Sequence, residues 1–150
     1  MPVPSYETLL QIYDSSNVSL LPLYSSRGIK QTLKFRDGAK SQRVTVNGDL
    51  VNLALTRMQK YSSTIEGSDM RPPSRDNIWP GRTVTIACAY VLQYPTSGGS
   101  PSRTPVSGSQ IVEGNFTLYR PLMTFMIGDM HGTFDEWQAH YAWSIEMSEV

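Results

Sequence analysis

Cysteine, histidine and long apolar runs are nearly missing from this chain of 150 residues, which has one Cys and two His. A lone Cys88 excludes an intramolecular disulfide and any zinc site built from cysteines. It falls inside an apolar stretch, where a small buried side chain is the expectation rather than a reactive thiol. Two histidines leave few candidates for a general base. No apolar run reaches the length needed to cross a bilayer, and the N-terminus has neither the basic nor the apolar region of a signal peptide. The expectation is a protein made in a cytoplasm, with no membrane partner. Net charge is missing too: 13 Lys and Arg meet 13 Asp and Glu. Nothing global therefore points to nucleic acid.

What charge there is lies unevenly. From Arg27 to Lys60 there are eight basic residues against Asp37 and Asp49, a balance of +6. From Pro121 onward there are five acids and no Lys or Arg, a balance of −5. Two solvated patches on one fold would account for this. Complementary patches on neighbouring copies would account for it as well. The second reading puts Arg27, Lys30, Lys34, Arg36 and Arg43 on one side of an interface and Asp135, Glu136, Glu146 and Glu149 on the other.

The periodicity is that of strands. Trp137, Ala139, Tyr141, Trp143, Ile145 and Met147 alternate with Gln138, His140, Ala142, Ser144 and Glu146. Such alternation marks a half-buried strand over 137–147, and its aromatic face needs a covering layer. Ile29 to Phe35 alternates with a basic face of Lys30, Thr32 and Lys34. Asn47-Gly48 predicts a two-residue type I′ hairpin turn, pairing Val46 with Asp49, Val44 with Val51 and Gln42 with Leu53. That register gathers Val44, Val46, Val51 and Leu53 on one face.

Elsewhere the pattern is coarser. Met1 to Ser16 reads as an arm or a first short helix, and Asn17 to Tyr24, with Pro22, as an edge strand or an extended segment. Leu55 to Ile65 suits a short helix early and a strand late. Glu66 to Gly81 is expected to be a long polar loop, with Pro80-Gly81 at the centre of a type II turn. Thr83 to Gln93 reads as one central strand. Pro95 to Gln110 is too polar to bury much area, so it is expected to be mobile or to order on a neighbour. Ile111 to Ile127 is strand broken at Pro121, and Gly128 to Glu136 the last loop. These pieces make a single all-β domain over 1–150, an antiparallel sandwich or partly closed barrel.

Chemistry is harder to find. Ile127-Gly128-Asp129-Met130-His131-Gly132 resembles the first signature of calcineurin-like metallophosphatases, where a strand ends in Asp-x-His at a two-metal site. That family needs a second Asp, an Asn and two or more further His residues downstream, but His140 is the one later His and no Asn follows. No Gly-x-Ser-x-Gly elbow sits on a strand–turn–helix, since Ser107-Gly108-Ser109 lies in the polar loop. No standard phosphate-binding Gly loop occurs. The aromatics near the basic stretch (Tyr24, Phe35, Tyr61) are not interleaved with its charges, which speaks against base stacking and nucleic acid as a partner. Asn17-Val18-Ser19 and Asn115-Phe116-Thr117 match the glycosylation triplet without a secretion signal to support its use. The expectation is no enzyme, no catalytic residue, no metal and no cofactor.

Four stretches carry a resemblance: Tyr24-Ser25-Ser26-Arg27-Gly28-Ile29-Lys30-Gln31-Thr32-Leu33, Arg43-Val44-Thr45-Val46-Asn47-Gly48-Asp49-Leu50-Val51, Ile78-Trp79-Pro80-Gly81-Arg82-Thr83-Val84-Thr85-Ile86, and Asp135-Glu136-Trp137. Together they resemble small proteins encoded in the structural gene clusters of tailed bacteriophages. The resemblance implies a non-enzymatic virion part, such as a tail, tail-tip or collar component, assembled in the host cytoplasm from copies of itself and other virion proteins. A capsid decoration protein is the nearest variant. From a different class, a carbohydrate-binding β-domain would place Phe134, Trp137, Asp129 and Asp135 on a host-surface glycan.

Overall fold

The computed structural model describes residues 10–21, 29–69 and 73–150. Their strands are β1 (Gln11–Tyr13), β2 (Lys30–Phe35), β3 (Gln42–Val44), β4 (Leu50–Asn52), β5 (Tyr61–Asp69) and β6 (Thr83–Ala87). There follow β7 (Leu92–Pro95), β8 (Thr104–Pro105), β9 (Ile111–Glu113), β10 (Phe116–Tyr119), β11 (Pro121–Asp135) and β12 (His140–Glu149). The only helical pieces among the described residues are three 3-10 turns of three residues each. The fold is all-β and antiparallel, as the alternation implied.

One large sheet carries the order β1-β6-β11-β12-β5-β2, with β8 pairing β11 at the side. The C-terminal strand is therefore central. Its inward face is Tyr141, Trp143, Ile145 and Met147, and the last three are buried. They meet Ile65 from β5, Val84 and Ile86 from β6 and Phe125 and Ile127 from β11 in a single core. Ile12 from β1 joins them, and Leu10, Leu20, Leu21 and Ile78 close that core from outside the strands. The sheet curls so far that Gln31 on edge strand β2 reaches across. Its Oε1 accepts the N–H groups of Ala89 (2.9 Å) and Tyr90 (3.1 Å), just past β6. No strand pairing joins the two edges among the described residues, so no barrel closes. A three-stranded sheet β7-β10-β9 and the two-stranded β3-β4 hairpin stand beside it.

Several boundaries differ from expectation, each for a local reason. The strand predicted to begin at Trp137 begins at His140, because Glu136 to Ala139 form the turn of the β11–β12 hairpin. The Asp135 Oδ1 fixes that turn by accepting the N–H groups of Trp137 (3.0 Å) and Gln138 (3.3 Å). Residues 128–135 are not a loop but the outer half of β11. A bulge at Gly128 shifts the register between Ile127 and Asp129. Before it odd-numbered residues face inward; after it Met130 pairs Ile145 and faces inward instead. Asp129 and His131 are thereby turned out to the surface.

The single strand expected over 83–93 breaks after Ala87, where Gln31 holds the bend, and β7 joins the smaller sheet. Part of the predicted loop over 66–81 is the end of β5. Gln11–Tyr13 is an edge strand against β6 rather than a helix, with Tyr13 bridged to Ser19. Residues 1–9 and 22–24 of those N-terminal expectations, with Pro22, lie outside the described residues. The hairpin at Asn47-Gly48 is present, but its register is one residue off: Val44 pairs Leu50 and Gln42 pairs Asn52. Gly48, at φ 87°, follows a turn closed by its own N–H on the Thr45 carbonyl (2.9 Å). This is a three-residue loop with a glycine bulge, not the two-residue turn. Val44 and Val51 consequently fall on opposite faces.

Candidate functional site

Three surfaces gather the chemistry-bearing side chains. The first is the outward face of the large sheet, where alternation collects whatever does not pack. From β11 come Asp129, His131, Thr133 and Asp135; from β12, His140, Ser144 and Glu146; from β5, Glu66 and Ser68. Lys30 stands opposite Glu66, and Lys34 lies further along β2. Ser68 Oγ and His140 Nε2 are hydrogen-bonded, and Asp135 is the register partner of His140. The three types of a Ser/His/Asp arrangement thus meet on one face. Yet one Asp135 carboxylate oxygen is committed to the hairpin turn, and the open concavity beside Ser68, about 420 Å³ and lined by Lys30, Glu66, His131 and Ser144 among others, takes in neither His140 nor Asp135. Asp129 Oδ1 accepts its neighbour's N–H, that of Met130, at 2.8 Å. Among the described residues, no three His, Cys, Asp or Glu side chains converge to hold a metal ion.

The second surface is the tip of the β11–β12 hairpin. Trp137 is 95% exposed there, flanked by exposed Asp135 and Glu136. Behind it Phe134 and Tyr141, register partners, pack at 4.6 Å between ring centroids. The third surface lies at the opposite end of the same strands. Residues 36–60 leave β2 after Phe35 and return to β5 at Tyr61, and Phe35 pairs Tyr61. This excursion carries the β3–β4 hairpin, whose Val44, Val46, Leu50 and Leu53 are all exposed. At its base is a groove of about 740 Å³ lined by Phe35, Lys40, Gln42, Lys60, Tyr61 and Arg103, among others. Phe35 and Tyr61 stack at 5.6 Å, and Asp37 is the groove's one acid.

One wall of that groove is Arg103, whose guanidinium is paired with the buried Glu149 behind it. Arg103 Nε lies 2.7 Å from Glu149 Oε1, and its Nη2 donates to Glu149 Oε2 at 3.0 Å. The same carboxylate accepts the Tyr61 N–H at 3.0 Å, while Arg36 donates to the Glu149 carbonyl at 3.0 Å. The Arg103 guanidinium also sits 5.1 Å from the centre of the Tyr61 ring. Residues 95–110, expected to be mobile or ordered by a neighbour, are therefore anchored on their own chain. They are anchored further by β8 on β11 and by the Val106 N–H on the Arg120 carbonyl.

The charged set read from the sequence separates in space. Arg43 belongs to the β3–β4 end and Asp135 and Glu136 to the tip. Lys34, Lys30 and Glu146 are exposed along the sheet between them. Glu149 is no surface acid at all: it is buried against Arg103, and Arg36 is engaged with its carbonyl. Arg27 lies outside the described residues. The groove and Arg103 were missed because a lone Arg in a Ser/Pro-rich stretch carries no periodic signal. Cys88 is fully buried, and that burial pushes its thiol up to about 11. Comparison with family models, curated proteins and solved structures found no match.

Proposed function

We propose that this protein is a non-enzymatic structural component of a tailed-phage virion, a tail, tail-tip or collar part that works by assembly of copies and as an attachment platform. The observation that carries the reading is the presence of two exposed apolar ends of opposite charge beyond the two ends of the large sheet. One end is the acidic Trp137 tip; the other is the basic β3–β4 hairpin with its groove. Isolated soluble domains seldom leave contiguous apolar side chains uncovered, and such patches mark contact sites. The resemblance of four sequence stretches to phage structural-cluster proteins supplies the setting. Capsid decoration needs the same surfaces with a different neighbour.

The test is incorporation. Particles purified on a density gradient from a host carrying the gene should contain the protein in a fixed ratio to the major structural protein. Finding it only in the particle-free cell fraction would overturn the reading.

A second reading has one observation in its favour. A fully presented indole beside carboxylates, backed by a packed Phe134–Tyr141 pair, is also how β-domains stack on a sugar ring. A host-surface glycan bound at Trp137 would appear on a glycan array as signal lost in Trp137→Ala.

A further inference from the structure

The two exposed ends are complementary in charge and in side-chain type. The tip presents one large flat side chain, Trp137, directly after two exposed acids, Asp135 and Glu136. The groove offers a stacked aromatic floor, Phe35 on Tyr61, with Lys40 and Lys60 on its rim and Arg103 in its wall. An indole is the kind of side chain that anchors in such a pocket, and acids beside it would meet the basic rim. Both features belong to one chain and lie at opposite ends of the same strands. β12 alone spans roughly 33 Å at the usual rise per residue. No chain can close the contact on itself across the length of its own sheet.

Another exposed apolar group, Ile111, Val112 and Phe116 on β9 and β10, lacks a counterpart of this sort, with only Glu113 as a charge beside it. The concavity of about 420 Å³ beside Ser68 on the outward face takes in His131 but neither His140 nor Asp135.

We infer that the occupant of the groove is the β11–β12 tip of a second copy of this chain, with Trp137 seated over Phe35 and Tyr61. The contact is heterologous: each copy gives its tip and receives its neighbour's. It closes into a ring if the rotation between copies permits and otherwise propagates as a filament. The inference rests on the assembly reading above and names its partner.

The test mixes two single-cysteine variants of different mass, Gln138→Cys at the tip and Gln42→Cys on the groove wall, under mild oxidation at low salt. Both positions are exposed, while native Cys88 is buried and does not compete. Disulfide-linked heterodimers exceeding either homodimer by at least about tenfold are expected. Adding Trp137→Ala to the tip variant should weaken association by about thirtyfold, the loss that defines an interfacial anchor. Raising the salt should weaken the unlinked complex seen by light scattering. A monomer at every concentration, or tip-to-tip dimers equal to the mixed ones, would overturn the inference. The two readings fail separately. Incorporation into particles without the mixed cross-link sinks the self-docking and leaves a different virion partner. The mixed cross-link without incorporation sinks the virion assignment and leaves the self-docking.

Discussion

Replacing Arg103 with Ala should cost this protein more than any other single change in its polar stretches. The guanidinium meets both Glu149 oxygens, at 2.7 and 3.0 Å, and also donates to the Gln59 carbonyl at 2.9 Å. The Glu149 side chain is 8% exposed and that of Arg103 21%. Breaking a fully buried pair by removing one partner costs about 3–5 kcal/mol, because the surviving charge is left uncompensated. Water reaches part of Arg103, so the expected loss here is smaller, about 2–3 kcal/mol. For a domain of this size that lowers the melting temperature by roughly 5–10 °C.

Urea denaturation of Arg103→Ala, Glu149→Gln and the double variant would measure it. The double variant should be less destabilised than the two singles combined, by about 1–2 kcal/mol, because the two groups act on each other. Limited proteolysis supplies a local readout: Arg103→Ala should open cleavage between Thr96 and Gln110 before global unfolding. Arg103→Ala within about 0.5 kcal/mol of the parent, with that segment still resistant, would refute the claim that this ion pair holds the segment down.

The two C-terminal tryptophans should behave as opposites. Trp143→Ala, in the core, is expected to lose about 3–5 kcal/mol, whereas Trp137→Ala, almost wholly in solvent, should stay within about 0.5 kcal/mol by thermal melting. Gly67→Ala should cost about 1–3 kcal/mol, since a methyl there would stand 2.4 Å from Trp143 Cζ2; pairing it with Trp143→Phe should recover part of the loss in urea titrations. Burial raises the Cys88 thiol from 9.0 to about 11, so the folded state keeps a proton that the unfolded chain sheds. Its contribution is intact below pH 9.0 and is lost as pH rises toward about 11, by on the order of 2 kcal/mol, a decline that Cys88→Ala should remove from stability–pH curves.

Period-two alternation revealed the fold class and the central place of the last strand because every side chain on a strand must choose a face. The same signal could not place the turn between β11 and β12. Trp137 and Ala139 happen to continue the phase of Tyr141 and Trp143, so nothing in the pattern marks where pairing stops. What marks it is the Asp135 carboxylate, whose two bonds to backbone N–H groups have no hydropathic trace. The Gly128 bulge misled in the opposite direction. It reverses the phase mid-strand, so a continuous strand reads as a strand followed by a loop. The Gln31 clamp was illegible because it joins residues 58 and 59 positions apart. Of the charged set, the segregation of sign was visible in composition. That Glu149 is an internal counterion rather than part of the acidic surface depends on Arg103, which carried no pattern of its own.

The positions of these errors bear on function. Where packing decides, along the inward faces of β6, of β11 up to Ile127 and of β12 from Tyr141, pattern and structure agree. They part company at the Gly128 bulge and beyond the two ends of the sheet, where Asp135 sets the turn that lifts Trp137 out of the alternation and the glycine bulge at Gly48 splits the valines of the hairpin between two faces. A chain selected only for its own stability would gain by covering Trp137 and Val46, each contributing apolar area that would stabilise by about 25 cal/mol per Å² if buried. Both stay in water on local geometry that holds them there. Exposure maintained by specific turns, beyond both ends of the large sheet and with opposite charge around each, is the feature on which the proposed contact between copies depends.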